Sequence, residues 1–126
     1  MGKDYREWLK QAEYDMGTAD YMVRGGRTLY ALFMCHLSIE KALKGLYHCR
    51  LDKVPPKVHN LVYLAGQIPV SPPDELGMLL VQLNEVSIAT RYPEDFEAMQ
   101  RDYPEKRVRE ILQSGRRLLQ WINEQF

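Results

Sequence analysis

The chain has 126 residues, 45% hydrophobic and 27% charged, with 17 basic and 17 acidic side chains and a formal net charge of zero. That length suits one domain over residues 1–126 with a single core, and the balanced charge excludes a global field that would gather nucleic acid, so any anion site must be local. No apolar run approaches a membrane span, and "MGKDYREWLK" is charged and amphipathic where a secretion signal would be apolar, which makes the cytoplasm the expected location.

The first predicted helix runs from Asp4 to about Arg24, with Trp8, Ala12, Asp15/Met16, Ala19 and Val23 at helical spacing. Gly25 and Gly26 supply a stop, because glycine takes left-handed dihedrals without penalty. Thr28 is then expected to cap a second helix to about Leu51, striped by Leu32, Cys35/His36, Ile39, Ala42/Leu43 and Leu46. Cys35 and Cys49 fall in this helix roughly 21 Å apart, beyond the ~7 Å reach of a disulfide. They read as small buried or half-buried residues, and no His/Cys cluster suggests a metal or cofactor.

"DKVPPKVHN" is a loop in which Asn60 caps a short third helix carrying Leu61, Leu64, Ala65 and Ile68. After the break "PVSPPDE", Asp74 opens a fourth helix with Leu76, Leu79/Leu80, Leu83 and Val86. "TRYPEDF" and a second Tyr-Pro pair interrupt helix formation, since the residue before proline is pushed out of the helical region. Pro104 suits the first turn of a final helix with Val108, Ile111/Leu112, Gly115, Leu118/Leu119 and Ile122. No segment alternates as a strand would. The fold expected is all-α, an antiparallel up-and-down four-helix bundle with one additional short helix.

The second helix is apolar on two sides, with Tyr30, Met34 and Leu37 opposite the main stripe. A helix apolar all round is either central or covered by another chain, and in a small bundle the expectation is a homodimer through that face. Lys41, Lys44 and His48 continue along it, on a stretch from Arg24 to Lys57 with seven basic residues and two acids. From Glu85 to Glu105 the balance reverses, with six acids against Arg91 and Arg101.

The candidate site residues follow. Arg91 can hold a phosphate with its planar fork and Tyr92 can stack on a base. Alternatively Arg91 is an internal clamp on Glu94, Asp95 or Glu40. Lys41 points outward, and Lys44, Tyr47 and His48 can form a cleft wall beside Arg91 and Tyr92, or simply a solvated surface. His59 packs on the second helix and bonds a loop carbonyl, or contacts ligand. Trp8, Trp121 and Phe33 read as core. Asp15, inside an apolar stripe, needs a cation; Arg91 or a lysine of the second helix can supply it, and Glu40 flanks the core and needs one too.

Together, Trp8 and Asp15, then Phe33 and "EKALK" (40–44), then Pro56 with "HNL" (59–61), and finally "RYP" (91–93) resemble the HEPN domain (higher eukaryotes and prokaryotes nucleotide-binding) over nearly the whole chain. The resemblance implies a commonly dimeric helical bundle, often acting with a minimal nucleotidyltransferase as a toxin–antitoxin-like pair. Several branches are metal-independent ribonucleases carrying an Arg followed four to six residues later by a His. Here the histidines are His36, His48 and His59, and none follows Arg91 or Arg101. The expected role is therefore nucleotide or RNA binding and partner docking rather than catalysis. A ribonuclease using Arg91 with a carboxylate or His59, and a bundle that only oligomerises, are the alternatives.

Overall fold

The computed structural model describes residues 4–92 and 94–126. Pro93, half of the first Tyr-Pro pair, lies outside the described residues. The order is α1 (Tyr5–Arg24), α2 (Thr28–Leu51), α3 (Leu61–Gly66), α4 (Asp74–Arg91), α5 (Phe96–Asp102) and α6 (Glu105–Asn123), with no strand among the described residues. The fold is all-α. Contacts run Trp8 to Gly45 between α1 and α2, Phe33 to Arg91 between α2 and α4, and Glu75 to Arg117 between α4 and α6. Each of those neighbours is antiparallel, and α2 lies parallel to α6 across the bundle.

The stripes meet as their spacing dictates. Ala12, Met16 and Ala19 of α1 bury against Leu32, Ile39, Leu43 and Leu46 of α2, with Leu64, Leu83, Leu112 and Leu118 closing the core. Two glycines set how closely the helices approach. A Cβ at Gly45 would lie 2.9 Å from the Trp8 Cβ, and one at Gly115 would lie 2.5 Å from the Cys35 Sγ. Cys35 is buried and Cys49 half-buried. Trp8, Trp121 and Phe33 are half-buried, so they border the core rather than fill it.

The Asn60 cap is as read, and Asp4, expected as the first helical residue, is the cap of α1. Asp4 accepts the Arg6 N–H at 2.8 Å, and Asn60 accepts the Tyr63 N–H at 3.0 Å. Thr28 is a correction: it is already helical, and Arg27 holds the cap position without a side-chain bond. The reversal finishes before it. Gly26 takes φ +79°, and the Arg27 N–H donates to the Met22 carbonyl at 2.7 Å. α5 is an additional helix where the sequence suggested only a connector. Asp95 caps it through the Ala98 N–H at 3.1 Å, and none of its residues is fully buried. With no buried stripe, it leaves no periodic signal to read.

The two apolar sides of α2 also resolve differently. α2 packs on α1, α3, α4 and α6 and buries thirteen of its residues. It is the central helix. Met34 and Leu37 are half-buried and only Tyr30 is exposed, so this face does not by itself call for a second copy. No helix among the described residues is long and apolar enough to cross a membrane.

Candidate functional site

Glu40 is the hinge of the local chemistry. Four residues along α2, Lys44 places its Nζ 3.0 Å from Glu40 Oε2, at the spacing that stacks side chains on a helix. One turn the other way, His36 Nδ1 lies 3.8 Å from Oε1. From the loop before α3, His59 brings Nδ1 to 3.0 and 3.1 Å from the two oxygens. Facing a carboxylate that already accepts from Lys44, His59 Nδ1 is the donor of this contact, which leaves Nε2 on the other edge of the ring. The Glu40 side chain is 5% exposed and that of His59 63%, so the histidine spans from a buried charge to solvent.

His36 is buried, and burial pushes its pKa below the usual 6.5. Arg91 pushes the same way, while Glu40, the Asn84 side chain and the His59 backbone partly oppose it. Asn84 stands on the α4 face that also carries Ser87, Ile88 and Arg91, one helical row at positions 84, 87, 88 and 91. Its Nδ2 donates to Asn60 Oδ1 at 2.9 Å and its Oδ1 accepts the Leu61 N–H at 2.9 Å, tying the start of α3 to α4.

Arg91 ends α4 with its guanidinium 4.9 Å over the Phe33 ring. Its Nε is buried without a hydrogen-bond partner, and among the described residues it makes no ion pair. Tyr92 follows, 80% exposed. Together His36, His59, Asn84, Ser87, Arg91 and Tyr92 line a cleft of about 280 Å³. No carboxylate lines its walls; Glu40 stands behind His59, balanced by Lys44. An unpaired guanidinium and the second N–H of the Asn84 amide suit phosphate oxygens.

Of the expected site residues, the structure brings together Arg91, Tyr92 and His59. It does not bring the lysines. Lys41 lies 2.9 Å from Asp15 Oδ2, so it is an internal partner rather than an outward one, and the carboxylate is not paired with Arg91. Lys44 is buried on Glu40 and 6.0 Å from the Trp8 ring centre. Tyr47 is half-buried against the core. His59 meets the Glu40 carboxylate instead of a loop carbonyl. His36 and Asn84 were missed, although the spacing of His36 to Glu40 and of Asn84 to Arg91 carries the signal.

A larger groove of about 480 Å³ between α1 and α6 holds Arg24, Arg109 and Arg116. Arg116 is paired to Asp20 and Arg109 to Glu105, so most of its charge is spent within the fold. Among the described residues no group of His, Cys, Asp or Glu is arranged to hold a metal ion.

The chain matches the HEPN domain family model over residues 5–125. Among solved structures it is similar to TT1696 from Thermus thermophilus, with 28% identity and a TM-score of 0.83 over 97% of this chain and 98% of that one. It is also similar to ST0689, an archaeal HEPN homologue, with 26% identity and a TM-score of 0.78 over 98% of each chain. No curated protein matches the chain.

Proposed function

The chain belongs to the HEPN domain family, and from that premise we propose that it binds the phosphates of a nucleotide or RNA in the cleft at the end of α4, as a homodimeric module working beside a minimal nucleotidyltransferase. One observation carries the ligand reading. Arg91 has a buried Nε without a partner and no carboxylate at hand, whereas an internal clamp would have one. Its free N–H groups are available for an oxyanion, and Asn84 and His59 stand in the same cleft.

Calorimetric titration with ATP and with a short RNA tests the reading. Binding that weakens at least about tenfold in Arg91→Ala supports it, in line with the loss of a charge-assisted bidentate contact. No heat with either ligand overturns it. Copurification with a nucleotidyltransferase encoded by an adjacent reading frame tests the partner.

A second reading is favoured by Glu40, His59 and Arg91 together. A histidine oriented by a carboxylate beside a guanidinium is the equipment for taking a 2′-hydroxyl proton and steadying a phosphorane without metal. RNA cut in the presence of EDTA by the wild type, but not by His59→Ala or Arg91→Ala, would establish a ribonuclease. RNA left intact over hours would dismiss it.

A further inference from the structure

We infer that the recess on the other side of Arg91 is a base-binding subsite, in which Tyr30, Phe33 and Phe96 receive the nucleobase of a nucleotide whose phosphates engage Arg91 in the cleft. The inference rests on the phosphate reading above and adds what the rest of the ligand touches. The recess measures about 320 Å³ and takes Tyr30 and Phe33 from α2, Thr90 and Arg91 from α4, and Phe96 from α5. That is the lower end of the volumes that hold small ligands. Arg91 is the wall common to both hollows, so one ligand touching it can extend into each.

Two of the rings are unspent, while Phe33 already carries the Arg91 guanidinium 4.9 Å over its face. Tyr30 is 65% and Phe96 58% exposed, and among the described residues Tyr30, Phe33 and Phe96 form no stacked pair with one another. α5 buries none of its residues fully, and what it brings to the recess is its first residue, Phe96. Thr90, the polar neighbour of Arg91 there, donates its hydroxyl to the Val86 carbonyl at 2.8 Å. Apart from Arg91 and the Tyr30 hydroxyl, no free side-chain donor lines the recess, so the ring faces dominate and rank bases by stacking area, purines ahead of pyrimidines.

The test is calorimetry on the full chain with ATP, UTP and inorganic tripolyphosphate, together with light-scattering mass. Expected is ATP binding about tenfold tighter than tripolyphosphate, the stacking contribution of one base. Phe96→Ala and Tyr30→Ala, both at exposed positions, should each weaken ATP severalfold and leave tripolyphosphate unchanged. Phe96→Leu keeps apolar contact without a ring and should weaken ATP likewise. ATP and tripolyphosphate binding equally, with no effect of the ring variants, would overturn the subsite while the phosphate cleft stands. Neither ligand binding removes the cleft reading and the subsite with it. Ring variants that turn a dimer into monomers without changing the ATP to tripolyphosphate ratio would mark the recess as a contact between copies and also overturn it.

Discussion

At Glu40, Lys44 and His59 approach one carboxylate at 3.0 Å each, so its charge is balanced by the fold rather than by water. Removing that charge in Glu40→Gln strands a buried ammonium, and breaking such a pair is expected to cost about 3 kcal/mol of stability. Urea unfolding measures it, and adding Lys44→Met should return much of the loss, because the stranded charge goes too. His36 gives a pH dependence of known sign. Its folded pKa lies below the 6.5 of the exposed side chain. Between those values the unfolded chain binds more protons, so stability is complete above 6.5 and falls as the pH drops toward the folded pKa. A urea midpoint lower at about pH 5.5 than at about pH 7.5, with the gap narrowed in His36→Gln, is the expected outcome. At this scale the sequence was only partly legible. Asp15 needing a cation could be read from its place in an apolar stripe. Which way Lys41 and Lys44 turn could not, because a long flexible stem reaches either inward or outward from the same backbone position.

Helix against helix, the tightest contacts are made by glycine. Both Gly45 and Gly115 would gain helix propensity as alanine, roughly 1 kcal/mol each, but each added methyl meets a neighbour. At Gly45 it meets the Trp8 Cβ, which is fixed to its backbone, so α1 and α2 must move apart. At Gly115 it meets the Cys35 Sγ, which one torsion can swing aside. Gly45→Ala is therefore expected to be the more destabilising, by about 1–3 kcal/mol as overpacking usually is. Gly115→Ala should lie closer to neutral and improve when combined with Cys35→Ala. Thermal denaturation of the variants checks the order; a Gly45→Ala protein as stable as the parent would contradict this account of the α1–α2 contact. The long helices were legible because each buries one apolar stripe. α5 was not, since seven residues with nothing fully buried carry no stripe.

The molecule as a whole is four long helices and two short ones among the described residues, with α2 inside. Periodicity identified both apolar sides of α2 but not how much of each its own chain covers: Met34 and Leu37 are half-buried and Tyr30 is exposed. The cleft was legible in Arg91, Tyr92 and His59, each marked by a break or a cap. Its remaining wall required knowing which rows of α2 and α4 face one another. Lys44 gives this arrangement an optical use. Its ammonium touches Glu40 and sits 6.0 Å from the centre of the Trp8 ring, while His59 holds the same carboxylate from the cleft side. Indole emission responds to nearby charge, so Trp8 is a built-in gauge, through Lys44 and Glu40, of whatever engages His59. With Trp121→Phe removing the other tryptophan, the emission maximum should move along the calorimetric isotherm for tripolyphosphate. A spectrum unmoved at saturation would show that the wire from imidazole to indole carries no signal.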